Sequence, residues 1–213
     1  MIPARDAAAT LTDVLGALPV KRLRSLVVVD NGSHDATSQI ARDAGAVVLR
    51  APNGGYGAAC LAAIEHLSRL PQPPDVVAFV PADGSFDAAE LPRLLAPIEA
   101  GGAELVIGVR ERRRHVGDKV VLGLIEAVYR HRFHDLGRMR AIRFPALIAL
   151  GMSDRGGGWD VEMQVRGLKL GLGIAEVPVA RGRRRTRRMP HPASAAAARG
   201  RSLFHILRHA TVR

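Results

Sequence analysis

Val27-Val28-Val29-Asp30-Asn31-Gly32-Ser33-His34-Asp35-Ala36-Thr37 is a β-branched apolar run that stops at a carboxylate and passes into turn chemistry. The continuous apolar run from Leu26 to Val29 predicts a strand buried on both faces, as in a parallel sheet, rather than one with a wet side. Asn31-Gly32-Ser33 supplies the turn. Ser33 or Asp35 is placed to cap a helix whose apolar face is Thr37, Ile40, Ala41 and Ala44 and which Gly45 closes. Asp30 therefore stands at the carboxyl end of a strand, beside a helix start. In open α/β sheets that rim is where ligands bind. An ordinary strand-to-helix connection begins in the same way, so the functional reading depends on the rest of the chain.

The pattern Val-Val-Asp-Asn-Gly-Ser-x-Asp-x-Thr resembles the nucleotide-binding signature of the family 2 glycosyltransferases, the group that includes the dolichyl-phosphate mannose synthase-like enzymes. The resemblance extends from about Ile2 to Arg185. It implies the GT-A fold, an α/β nucleotide-sugar-binding sheet flanked by helices in a single domain, with Asp30 touching the base or ribose of the donor. Met1-Ile2-Pro3-Ala4-Arg5-Asp6 resembles the end of the family's first strand, Ile-Pro-Ala-x-Asn-Glu, so the first strand is expected to be truncated. Asp6-Ala7 replaces the family's Asn-Glu, which puts one nucleotide contact in doubt.

Further along, Ala46 to Leu49 reads as a strand, and Asn53-Gly54-Gly55-Tyr56-Gly57 as a glycine-rich loop entering an Ala-rich helix. The loop resembles a family element near the donor, although from the residues alone a plain tight turn is the preferred reading. Val76 to Val80 is a second apolar strand that ends in Pro81-Ala82-Asp83-Gly84-Ser85. This segment resembles the family's Asp-x-Asp element, whose carboxylates hold a divalent ion on the donor diphosphate. Pro81 takes the place of the first Asp. Magnesium needs only one or two carboxylates besides substrate phosphates, so Asp83 alone remains a candidate ligand for Mg2+ or Mn2+. Val109-Arg110 resembles the family's Gly-Ser-Arg, and Arg112-Arg113-Arg114-His115 follows in a polar loop.

Asp135-Leu136-Gly137-Arg138-Met139-Arg140-Ala141-Ile142-Arg143 resembles the acceptor-side element Asp-x-Gly-x-x-Arg-Ala-x-Arg. Gly158-Trp159-Asp160-Val161-Glu162-Met163-Gln164 resembles the helix that brings a Glu to the active site. The resemblance therefore implies Asp135 and Glu162 as catalytic residues. It implies Pro3, Ala4, Asp30, Gly32, Gly57, Ala82, Asp83 and Arg110 as donor-binding residues, with Asp83 also the metal ligand. Arg140 and Arg183 are its candidates for an acceptor or phosphate.

Charge divides the chain unevenly. Residues 1–180 hold 21 Lys and Arg against 20 Asp and Glu, whereas residues 181–213 hold 10 Arg and no acid. The division is taken as a catalytic domain over 1–180 and a basic tail over 181–213, partly disordered or forming a surface helix with Leu203, Phe204 and Leu207 as its apolar patch. A tail of this charge is attracted to an anionic membrane surface. A nucleic-acid binder spreads its basic residues over a docking face and stacks bases on aromatic rings, which this chain scarcely has, so no nucleic-acid partner is expected. One cysteine, Cys60, excludes an internal disulfide and a cysteine-rich metal site, and it fits a reducing cytoplasmic setting. No apolar run approaches the ~20 residues of a membrane span. The expected protein is thus a cytoplasmic enzyme, peripheral at the inner face of the membrane. It moves a hexose, with inversion, from UDP- or GDP-hexose to a membrane acceptor such as a polyprenyl phosphate. The alternatives are a nucleotide-sugar binder with weak or no turnover, motivated by Pro81 and Ala7, and a basic nucleic-acid-binding protein.

Overall fold

The computed structural model describes residues 1–52, 54–110, 116–182 and 192–210. In chain order its elements are β1 (Ile2–Ala4), α1 (Ala8–Ala17), β2 (Val27–Asp30), α2 (Thr37–Asp43), β3 (Val47–Arg50), α3 (Tyr56–Ser68), β4 (Val76–Phe79), α4 (Leu91–Glu99), β5 (Leu105–Arg110), α5 (Val116–Tyr129), β6 (Arg140–Arg143), α6 (Phe144–Ala149), α7 (Trp159–Lys169), β7 (Ile174–Val179) and α8 (Pro192–Ala210). The strands pair in the orders β1-β2-β3 and β4-β6-β5-β7. The two sheets meet at Met1, whose carbonyl accepts from Val80 N–H at 3.1 Å and whose amino group donates to the Ala78 carbonyl at 2.6 Å.

β2 behaves as its residues dictate. Val27 and Val29 point into one core with Phe79, Ile107, Trp159 and Met163, while Val28 points into the other with Ile2, Leu11, Leu94 and Val106. A strand clothed on both faces needs no polar alternation, and each buried valine contributes roughly 1.5–3 kcal/mol. β1 is a strand of three residues, Ile2–Ala4, each paired with β2. β4 is less apolar in its surroundings than its sequence suggests, with Val77 and Phe79 buried and Val76 and Ala78 partly exposed.

Capping of α2 differs in detail from the sequence reading. Ala36 occupies the cap position. Asp35 Oδ1 accepts from Thr37 N–H at 3.0 Å, whereas Ser33 Oγ accepts from Asp6 N–H at 3.0 Å and ties the first loop to the second.

β6 runs antiparallel to both β4 and β5. Its first residue, Arg140, lies opposite Phe79, the last residue of β4, and Ile107, midway along β5. One antiparallel strand therefore delivers the preceding segment, residues 135–139, to the same rim as the ends of β1, β2, β4 and β5. α8 lies on the carboxyl side of residue 180. This helix packs on α7 and α5, burying Ser202, His205 and Ile206 while leaving Leu203, Phe204 and Leu207 exposed.

Candidate active site

The rim changes direction between β1 and β4. From β1 the chain winds outward to β2 and β3, and then returns to the other side of β1 with β4. A ligand crevice is expected at such a switch point. Ala4 ends β1 opposite Asp30, and Asn31 N–H donates to the Ala4 carbonyl at 2.8 Å. Pro3 is buried beside them. Asp30 is itself buried, accepting from Ser33 N–H at 2.7 Å and from Ser38 Oγ. Burial works to raise the Asp30 pKa, but the hydrogen bonds from Ser38 and Ser33 outweigh it, and the carboxyl lies below its usual range. Gly32 turns the chain at φ 74°, which a side chain seldom adopts. Beside it, the Asn31 Oδ1 is buried without a hydrogen-bond partner among the described residues, and it faces Gly54.

On the other side of the switch point, Asp83 follows β4. Its Oδ1 accepts from Ser85 N–H at 3.0 Å. Ala82 is buried, and its carbonyl accepts from Thr10 Oγ1 at 2.7 Å. Among the described residues, no group of three or more His, Cys, Asp or Glu side chains is arranged to hold a metal. One strand-end carboxylate nevertheless fits a divalent cation that takes its remaining ligands from a diphosphate and water.

Arg110 ends β5 with its guanidinium 4.7 Å from the centre of the Phe86 ring. Its Nε donates to Asp135 Oδ2 at 3.1 Å, its Nη2 to Oδ1 at 3.4 Å, and its backbone N–H to Oδ2 at 3.3 Å. The Asp135 carboxylate is thereby fixed at the head of the segment entering β6. Gln164 Nε2 secures the same residue from behind, donating to the Asp135 carbonyl at 3.1 Å.

Arg140, the arginine of the acceptor-side element expected to meet an acceptor or phosphate, points inward instead. Arg140 is fully buried and donates to the carbonyls of Leu136, Gly137 and Asp160. Its work is to shape the 136–160 backbone. Arg138 is the one that looks outward, with 60% of its side chain exposed, its Nε 3.7 Å from Asp160 Oδ2 and its guanidinium 6.0 Å from the Tyr56 ring centre. Desolvation opposes the Arg138 charge, but Asp160, Tyr56, Asp83 and Asp118 together more than offset it and raise its pKa. Arg138 thus stands beside Asp160 at the start of α7 and Tyr56 at the start of α3. No sequence signal distinguished Arg138 from Arg140: two apart, they would share a face in a strand, and what separates them is that β6 begins at Arg140 and leaves Arg138 in the preceding loop.

Glu162 is fully buried; it accepts from Ser153 N–H (3.1 Å), Ser153 Oγ (2.7 Å) and Asp154 N–H (2.8 Å), and it is ion-paired with Arg166 Nη2 at 3.0 Å. Its position organises the 153–156 turn. That turn in turn packs on the glycine loop: Gly57 N–H donates to the Gly156 carbonyl and Ala58 N–H to the Arg155 carbonyl, both at 3.0 Å. A Cβ on Gly57 would overlap the Asp154 carbonyl oxygen, so this glycine is required for backbone approach. His205, which nothing in the sequence singled out, reaches the turn from α8, with Nε2 2.9 Å from Asp154 Oδ2. Arg183 and the loop 112–115 lie outside the described residues.

A switch-point crevice in an α/β sheet, with Asp30 ending β2 on one side and Asp83 in the turn after β4 on the other, is the architecture of a GT-A-type fold. The chain belongs to glycosyl transferase family 2, whose profile it matches over residues 1–151, and its activity is glycosyl transfer from a nucleotide-sugar. It is similar to an uncharacterised glycosyltransferase of Mycobacterium tuberculosis, 36% identical over 188 residues that cover 83% of this chain and 81% of that one. It is also similar to glycosyltransferase AglJ of Haloferax volcanii, 26% identical over 181 residues, 81% of this chain and 58% of that one. Among solved structures, its fold matches glucosyl-3-phosphoglycerate synthase from Mycobacterium tuberculosis, in complex with Mn2+, uridine diphosphate and phosphoglyceric acid, with a TM-score of 0.81. That match covers 100% of this chain and 78% of the other at 20% identity, a likeness of fold.

Proposed function

We propose that this glycosyltransferase moves a hexose from a UDP- or GDP-hexose to a phosphate-bearing acceptor at a membrane surface, such as a polyprenyl phosphate, with inversion at the anomeric carbon. The observation that carries this reading is the pairing of Arg110 with Asp135 across the rim from Asp30 and Asp83. It sets a donor-side pair of carboxylates against an acceptor-side carboxylate held in place. Asp30 and the unpartnered Asn31 Oδ1 would hold the nucleoside, and Asp83 would hold Mg2+ or Mn2+ on the diphosphate. The cation would supply charge neutralisation on the leaving group. Arg138, exposed in the crevice, would add a fixed positive charge where the diphosphate becomes more negative as the sugar leaves.

In the transfer, the acceptor oxygen bonds to the anomeric carbon while the bond from that carbon to the diphosphate oxygen breaks, and the nucleoside diphosphate departs. A phosphomonoester, with a second pKa near 6, brings an oxygen already mostly ionised at pH 7. Asp135, committed to Arg110, then positions the acceptor. A hydroxyl acceptor would instead require Asp135 to take its proton.

The membrane part of the reading is supported by α8, which exposes Leu203, Phe204 and Leu207 beside Arg208, whose guanidinium lies 5.7 Å from the Phe204 ring centre. An apolar face edged by arginine suits an anionic lipid surface. No described helix is long and apolar enough to cross a membrane. The test is product analysis with a polyprenyl phosphate and with phosphoglyceric acid as competing acceptors. Transfer to the lipid phosphate supports the reading, and transfer to the water-soluble acid alone removes its membrane part.

A further inference from the structure

β7 is the outer strand of its sheet, and Glu176 stands on it opposite Ile107 of β5. The Glu176 side chain is largely covered, and both its oxygens are committed to one residue, His134. Oε1 accepts from the His134 backbone N–H at 2.8 Å, and Oε2 lies 2.6 Å from His134 Nδ1. An ionised carboxylate only accepts, so Nδ1 is the ring nitrogen that carries the proton in this pair. A backbone N–H and a ring N–H of the same residue, taken by the two oxygens of one carboxylate, leave residue 134 little freedom to rotate. His134 is joined directly to Asp135.

Asp135 is thus held from three elements. Its carboxylate is bound by Arg110 at the end of β5, its carbonyl accepts from Gln164 of α7, and the residue on its amino side is fixed by Glu176 of β7. Two anchors leave a rotation about the line that joins them, and a third on a different element removes it. Beyond Asp135 the path is fixed by contact, since a Cβ on Gly137 would overlap Ile107 Cγ2 and the Gly108 carbonyl oxygen. We infer that Glu176, acting through His134, is a positioning residue of the transfer reaction, setting the angle at which Asp135 meets the acceptor. The inference rests on the acceptor-side reading of Asp135 and adds to it. The pair contributes little to stability, because the His134 side chain is 59% exposed and water competes for it. Its effect on rate is of another order, since misplacing a reacting group by about 1 Å can cost roughly a hundredfold.

The test compares Glu176→Ala, His134→Ala and His134→Asn in the full chain, with Glu176→Ala also combined with Asp135→Asn. Each is measured for donor Kd, for thermal midpoint and for kcat with Mn2+ and the nucleotide-hexose that the wild type consumes, the acceptor being whichever of a polyprenyl phosphate and phosphoglyceric acid is used. Glu176→Ala is expected to lower kcat about tenfold while donor Kd changes less than about twofold. His134→Ala is expected to lose about threefold, and His134→Asn, whose amide N–H stands where Nδ1–H does, to recover most of it. With Asp135 already replaced, Glu176→Ala should cost less than about twofold more, because the group it orients is gone. A purely structural role gives the same factor in both backgrounds. That result overturns the inference, as does an unchanged kcat in folded Glu176→Ala or a donor Kd that rises as far as kcat falls. If Glu176→Ala does not fold, the His134 variants decide, and equal kcat in the two overturns the inference. An unchanged kcat in Asp135→Asn brings down the acceptor-side reading and this inference with it, whereas a lowered kcat there beside an additive Glu176→Ala brings down this inference alone.

Discussion

Arg110 at the end of β5 grips Asp135 ahead of β6 through three N–H groups, the shortest contact being Nε to Oδ2 at 3.1 Å. The carboxylate thereby has one orientation in the absence of substrate, as a group that aligns an acceptor must. Asp135→Asn keeps the shape but loses the charge that Arg110 opposes. It is expected to lower kcat by about a hundredfold or more while the donor Kd changes little, because the affected group acts on the acceptor. Steady-state kinetics beside donor titration checks this. A matching loss of donor affinity would move Asp135 to the nucleotide end of the site.

Asp83 and Asp87 are four residues apart with unequal tasks. Asp87 Oδ1 accepts from Ala89 N–H at 3.0 Å, a local cap on the turn into α4. Asp83→Ala is therefore expected to abolish the Mn2+-dependent part of donor binding, whereas Asp87→Ala loses about 1 kcal/mol of stability and leaves that binding intact. Pro81→Asp should tighten the metal-dependent part. Calorimetric titration of the donor with and without Mn2+ reads all three.

Gly57 and Gly16 form a matched pair for the glycine loop. A Cβ at Gly16 meets nothing within 4 Å, so Gly16→Ala in α1 should stabilise by roughly 0.5–1 kcal/mol. Gly57→Ala drives its methyl into the Asp154 carbonyl and should destabilise by about 1–3 kcal/mol. It should also weaken donor binding, because the turn it displaces supports the start of α3. His205→Ala acts on the same turn from α8 and leaves the buried Asp154 short of a partner, at roughly 1–3 kcal/mol. Urea unfolding of the three variants orders them as stated.

Stability should rise with pH between about 6 and 8 through the Met1 amine. The unfolded amine keeps its proton to about 8 and the folded one sheds it near 6, so between these values the unfolded state binds more protons. Two pKa steps correspond to roughly 2–3 kcal/mol at most. Acetylation of the amino terminus is expected to flatten this slope, which urea midpoints across the range report.

The strand, acid and turn at 27–33 were legible because a β-branched run ending in a carboxylate has few other meanings in an α/β chain. The strands and helices after it followed from apolar spacing and from Gly and Pro punctuation. Which of Arg138 and Arg140 faces the crevice was not legible, since the answer lies in β6 beginning at Arg140 and leaving Arg138 in the preceding loop. The docking of α8 was hidden as well. Its composition reads as a solvated basic tail, and only contact with α7 explains why His205 and Ile206 are buried while Phe204 and Leu207 are not. A chain ended at Ala180 would lose that packing along with the charge. The membrane reading is therefore better tested with Phe204→Glu and Leu207→Glu in the full chain. Their sedimentation with anionic vesicles should fall several-fold without loss of thermal stability.

The most direct measurement is diphosphate release from a panel of UDP- and GDP-hexoses with Mn2+ and a polyprenyl phosphate, run on the wild-type chain and on Asp83→Ala. One nucleotide-sugar is expected to be turned over by the wild type, with the hexose recovered on the lipid phosphate, and turnover is expected to collapse in the variant. If a nucleotide-sugar binds but none is consumed, or if Asp83→Ala releases diphosphate as fast as the wild type, the transfer mechanism derived from this site is contradicted.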